Sequence, residues 1–222
     1  MQRDDEMLYI QKGKEPQEII DWKKKFKNVN KHRPNYQDIE HKEEKRILKE
    51  NLIREQKGLC CYCCASITMD NSHIEHFRPK GLPQYADLSL EYENLHACCM
   101  GENQDGKHCG HKKGNQFDEM KMLSPLETDC EERFAFWTDG TIVPAEKNDV
   151  KADYTITVLA LDDKRLNRAR ETALWASGVF TAESNEERVE LLEKFKTPQN
   201  GVLAPYCDAI LYHLKKGLES EV

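Results

Sequence analysis

With 222 residues, 33% of them charged, and a net charge of −7, the chain has the length of one globular domain with appended elements rather than of two separate cores. No apolar run approaches the ~18 residues of a membrane-spanning helix, and the opening MQRDDEMLYIQKG lacks the apolar stretch of an export signal. The acidic balance excludes a generic whole-surface attraction to nucleic acid, and the nine cysteines read as reduced thiols or metal ligands in a cytoplasmic protein.

Pro16 followed by QEIIDWKKKFKN predicts a helix with proline in its first turn and Ile19, Ile20, Trp22 and Phe26 on or near one face. A second helix is expected from about Tyr36 to Gln56, where Ile39, Ile47, Leu48, Leu52 and Ile53 form an irregular apolar stripe and Gly58 supplies the stop. From Leu59 to Lys80 the sequence reads as a tight cysteine turn and two short strands, IT and SHIEHF, ended by Pro79. The segment from Leu88 to Ala97 suits a helix or a strand equally. GENQDGKHCG is glycine-rich and polar, as an exposed insertion would be, and HKKGNQF then begins a short helix. FAFW and TIVP flank an Asp139-Gly140 turn and predict a hairpin. Beyond Val150, TITVLAL, LNRARETALWASGVF, NEERVELLEKF and APYCDAILYHLKKGL read as amphipathic helices. Their apolar stripes, Trp175 and Leu211 among them, are expected to pack with the N-terminal helices and to dock a partner.

The chemistry concentrates between Cys60 and Asn115. Cys60-Cys61-Tyr62-Cys63-Cys64 contains two overlapping C-x-x-C pairs, only one of which can face a common tetrahedral ion, so spacing leaves the register open. Cys98 or Cys99, then Cys109, offer the second pair, and four thiolates would staple the insertion to a core too small to hold it unaided. Cys130 and Cys207 lie outside this group. Glu75 is a hard oxygen ligand suited to Mg²⁺ or Mn²⁺, and His76 has the proton affinity of a general base. Strict strand alternation would send them to opposite faces unless a strand-end loop before Pro79 re-aims one of them. Basic residues gather nearby at Arg78, Lys80, Lys107, Lys112 and Lys113, and again at Lys164, Arg165, Arg168 and Arg170.

The order C-x-Y-C, HIEHFRPK, YENLHACC and HCGHKKGN resembles the HNH (ββα-metal) endonucleases, and within them the PtuB group of Septu-type and retron-associated bacterial anti-phage (antiviral) defence. LYIQKGKEP, LSPLE, the Asp139-Gly140 hairpin and ADYTITVLAL extend the likeness over most of the chain. The resemblance implies an α+β, mostly helical fold: a helical brace over 1–58, a zinc-stapled ββα-metal core over 59–122, and a hairpin with C-terminal helices over 123–222. It selects Cys60, Cys63, Cys98 and Cys109 for a structural Zn²⁺. It makes His76 the general base, Glu75 a ligand of a catalytic Mg²⁺ or Mn²⁺, and Asn94 the residue whose side-chain carbonyl orients the imidazole. Lys113 would sit near the scissile phosphate. The residue after the last zinc cysteine often supplies a further ligand, and here it is Gly110. His111 is the nearest substitute, followed by His73, His108 and Asn115, and Gly110→Asp is expected to raise activity or change the preferred metal.

The function so implied is hydrolysis of phosphodiester bonds in DNA or RNA by the effector subunit of a hetero-oligomeric defence complex with a PtuA-like ATPase. The other class consistent with Gly110 is a zinc-stabilised binding or scaffold subunit without catalysis.

Overall fold

The computed structural model describes residues 9–104 and 106–219, so Leu8 of the expected family opening and Asp105 of the insertion lie outside the described residues. Helix α1 spans Gln17–Asn30 behind Pro16, whose fixed φ of −52° suits the position before the first turn. It ends at Lys31 in the left-handed conformation. Ile19 is fully buried, with Trp22 packed against the core. The single helix expected over 36–56 is instead a 3₁₀ turn, Tyr36–Ile39, and helix α2, Glu43–Glu55. Asn35 and Asp38 close a reciprocal capping box on the short turn, and His41 at φ +66° breaks the chain before α2 starts. Leu48 and Leu52 form the buried stripe.

The centre is an antiparallel pair, β1 (Ser72–His76) and β2 (Leu95–Cys99), in which Glu75 faces His96 and His76 faces Leu95. The expected IT strand does not form: Leu59 and Ser66 make an isolated bridge, and Ile67 N–H donates to the Gly58 carbonyl at 2.8 Å. The undecided 88–97 segment uses both forms, a 3₁₀ turn at Tyr92–Asn94 and then β2. The insertion is a small hairpin, β3 (Glu102–Asn103) with β4 (Gly106–Lys107). Gly101 closes its base at φ +53°, where a Cβ would meet the His108 carbonyl oxygen at 2.4 Å, so a side chain there would push the hairpin open. Helix α3 (Cys109–Lys113) begins at the cysteine, earlier than expected, and HKKGNQF supplies its end.

Strands β5 (Phe134–Phe136) and β6 (Ile142–Pro144) form the expected hairpin. Four helices follow: α4 (Val150–Leu159), α5 (Lys164–Ser177), α6 (Asn185–Lys196) and α7 (Cys207–Glu219). Asp149, Asp163 and Ser184 cap the first three by accepting backbone N–H groups. Helix α2 packs on β2, α3 on β2 and α4, and α7 on α5, α6 and β5. One continuous core therefore runs from Ile19 through Leu95 and Leu159 to Leu214. The late leucines are spent on this core, whereas Trp175 remains 62% exposed.

Candidate functional site

The turn after α2, the end of β2 and the first residue of α3 bring sulfur atoms together from three places in the chain. Cys60 Sγ lies 3.8 Å from Cys98 Sγ, and Cys63 Sγ lies 3.7 Å from Cys99 Sγ. A tetrahedral ion with bonds of about 2.3 Å to sulfur has edges of about 3.8 Å, so these spacings fit a shared metal such as zinc. Two four-donor groups overlap: Cys60, Cys98, Cys99 and Cys109, and Cys63, Cys99, His108 and Cys109. All four residues expected from the resemblance are present, but Cys99 and His108 join them, and Cys61 and Cys64 fall outside both groups. Backbone N–H groups of Cys99 and Gly110 point at Cys60 Sγ and Cys98 Sγ, each at 3.4 Å, as donors to thiolates would. Burial opposes ionisation of Cys60, yet the hydrogen bonds it makes with Cys109, Cys61, Cys63 and Cys98 hold its thiol well below the ordinary range.

On the face of β1 turned to α3 lies Glu75. Lys113, only 1% exposed, donates to Glu75 Oε1 and, at 2.6 Å, to the His76 carbonyl. Tyr62 donates to the same carboxylate oxygen at 3.3 Å, while His73 Nε2 stands 3.6 Å from Oε2. The His73 ring stacks on His111 with centroids 4.6 Å apart. Burial works against the charge on Glu75, but the His73 hydrogen bond and the Lys113 ammonium outweigh it and keep the carboxyl below the usual range. A Cβ at Gly110 would come 2.5 Å from Glu75 Oε2 and 2.9 Å from His73 Nε2. The glutamate reaches into the space that a side chain at 110 would fill, which accounts for the glycine. A longer side chain at 110 would crowd Glu75 and His73 in the same way.

His76 is on the opposite face, because β1 keeps regular alternation to its last residue. Its Nε2 is 3.0 Å from the Ser89 carbonyl oxygen, and Tyr36 packs edge-on at 4.6 Å. A carbonyl only accepts, so Nε2 carries the proton and Nδ1 holds the lone pair. Burial, reinforced by the Lys80 charge, lowers the imidazole pKa to about 4 and leaves the ring neutral at pH 7.

Asn94 does not touch this ring. Its carboxamide accepts from Arg78 N–H at 2.7 Å and donates to the carbonyls of Arg78 at 3.0 Å and Leu88 at 3.1 Å. It ties together the two ends of the loop that carries Ser89, and so acts on His76 through the backbone. Lys113, expected near the scissile phosphate, is buried against Glu75. In the second basic group, Arg165 pairs with Asp163 and Arg170 is buried, which leaves Lys164 and Arg168 exposed. Ser89 and Tyr36 went unread in the sequence because one acts through a carbonyl and the other looks like an ordinary core aromatic. His96, fully buried on β2 opposite Glu75, was equally unmarked.

No protein-family model matches the chain. The sequence is 29% identical over 158 residues to a Vibrio cholerae serotype O1 biovar El Tor protein named "Retron Vc95 putative HNH endonuclease", covering 68% of this chain and 75% of the relative. It is 28% identical over 226 residues to "Retron Ec83 putative HNH endonuclease" of Escherichia coli, covering 84% and 86%. The likeness supports an HNH-endonuclease relationship and an association with retrons. Among the described residues no helix is long and apolar enough to cross a membrane.

Proposed function

We propose that the protein is a metal-dependent HNH endonuclease that hydrolyses phosphodiester bonds in DNA or RNA, as the nuclease subunit of a retron-associated or Septu-like anti-phage complex with a PtuA-like ATPase. The observation that carries this reading is the set of side chains converging on Gly110. Glu75, His73 and His111 gather at the first turn of α3, directly beside the cysteine cluster, with the neutral His76 one residue further along β1. The cysteines and His108 hold zinc and fix where α3 begins. Glu75, with His73 and His111, suits Mg²⁺ or Mn²⁺, the imidazoles weighting the set toward Mn²⁺. Such an ion supplies positive charge for the pentavalent phosphate and the leaving oxygen. Ser89 holds His76 by Nε2 and leaves Nδ1 to take the proton of the attacking water. Asn94 keeps the Ser89 loop in place, and Lys113 holds the Glu75 carboxylate in its charged form.

Two features favour the second reading, a zinc-stabilised binding subunit. The Lys113 ammonium already neutralises Glu75, and His76 is only 6% exposed. Cleavage of single- and double-stranded DNA and RNA with Mg²⁺ or Mn²⁺, with and without the ATPase, separates the two. On the nuclease reading His76→Ala lowers cleavage by about 10²–10⁴-fold with zinc content unchanged and the fold retained. Wild-type protein that cuts nothing under all these conditions would establish the binding role.

A further inference from the structure

The face of β1 that carries His76 opens on a cleft of about 1030 Å³. One wall is helix α1 with Lys23, Lys24 and Lys27, continued by Arg33. The other is the segment after β1, with Lys80 and Leu90. Tyr36 and Ser89 line the same cleft, and both touch His76, so the imidazole lies one side chain beneath the floor. The cations are not equivalent. Lys23 is held by Glu15 at 2.6 Å and by the Leu90 carbonyl at 2.5 Å, and so braces the two walls. Lys24 meets Asp21 only at 3.9 Å on the surface. Lys80 stands 3.9 Å over the Tyr36 ring. Lys27 and Arg33 are exposed and enter no ion pair among the described residues. The lining acids are Glu15, already committed to Lys23, with Asp87 and Glu91.

We propose that this cleft binds the phosphodiester backbone of a polynucleotide and lays it against the His76 face. The proposal rests on the nuclease reading and adds the route by which substrate reaches it. An acidic chain repels nucleic acid over most of its surface, so binding has to come from a local concentration of uncommitted cations, and that concentration borders the proposed base. The helix that supplies it stands outside the β1–β2–α3 centre. This gives α1 a role beyond bracing the core, because Lys24 and Lys27 are three residues apart, neighbours on the helix surface, and both exposed. The cleft makes no base-specific demand, so it reads charge and path rather than sequence.

The test is fluorescence anisotropy of labelled oligonucleotides, one single strand and one duplex, titrated at several salt concentrations without added divalent ion. Replacing both Lys27→Ala and Arg33→Ala should weaken binding. The slope of log affinity against log salt should fall by about 1.4 for the single strand or about 1.8 for the duplex, and the arm that responds identifies the substrate form. Lys164→Ala with Arg168→Ala, exposed cations on α5, should leave both quantities unchanged. His76→Ala should abolish cleavage without altering anisotropy, so failure of the cleft and failure of the nuclease reading give different results. Wild-type affinity and an unchanged slope in the Lys27/Arg33 variant would overturn the proposal. So would binding of the ATPase, rather than of either oligonucleotide, that depends on these two residues.

Discussion

Replacing Gly110 by alanine puts the site's geometry at risk with a single methyl. Residue 110 is helical and outside the positive-φ region, so the backbone accepts alanine without strain, and helix propensity alone would favour it by at most about 1 kcal/mol. The new Cβ, however, would lie 2.5 Å from Glu75 Oε2 and 2.9 Å from its carboxyl carbon. A carboxylate is the end of a side chain and could in principle swing away, but Lys113 and Tyr62 hold this one. If the contact is absorbed by small shifts, overpacking costs about 1–3 kcal/mol, for a net loss near 1 kcal/mol. If Glu75 is displaced, Lys113 loses its buried partner and the cost rises toward the roughly 3–5 kcal/mol of a broken buried pair. For a chain of this length each kcal/mol moves Tm by about 2–4 °C. Thermal unfolding of Gly110→Ala should therefore show a drop, with weaker Mn²⁺ binding by calorimetry and unaltered zinc. Gly110→Asp should be worse, because it sets a second carboxylate against the first. A Gly110→Ala protein as stable as wild type, with the same Mn²⁺ affinity, would refute the close approach of Glu75 to α3.

Elemental analysis of purified protein should find about one tightly held Zn²⁺ per chain. Cys60→Ser and Cys109→Ser should lose it and unfold, Cys61→Ser and Cys64→Ser should keep it, and loss of zinc in Cys99→Ser would favour either of the two donor groups that contain Cys99 over the set expected from the resemblance. Asp208 is buried, and burial raises its carboxyl pKa despite the nearby Arg170 charge. Because the folded pKa lies above the unfolded one, the stabilisation from its protonated form is complete below the unfolded pKa of about 3.8 and is lost as pH rises through the folded pKa. Asp208→Asn should thus gain stability over wild type as pH rises toward neutrality, and urea midpoints compared at acid and neutral pH would show no such divergence if the carboxylate were well solvated.

Much of the architecture was legible because its signals were local. Pro16, the Asp139-Gly140 hairpin and the four late helices are written in turn chemistry and in apolar stripes spaced for helices. The cysteine cluster was legible as a group, since clustered thiols have few structural uses, but not as a register. Cys98 and Cys99 point to opposite faces of β2, yet the turn at Cys60–Cys63 wraps around the strand end and reaches both. The break at His41 was hidden because nothing in its own residue type demands a left-handed backbone. The roles of Ser89 and Asn94 were hidden for a related reason. Both work through main-chain groups whose direction depends on how the 77–94 loop closes, and residue types do not record that.

The division of Glu75 and His76 between the two faces of β1 bears on how hydrolysis could work at all. Placing the imidazole on the other side of the strand, under Tyr36 and against the Ser89 carbonyl, keeps it neutral, while Lys113 bridges the two sides by holding the Glu75 carboxylate and the His76 carbonyl together. The ammonium is thus the physical link between Glu75, the proposed ligand, and the backbone of His76, the proposed base. Movement at α3, whether from a change at the cysteine cluster or from a side chain at 110, has a direct path to His76 through that one lysine.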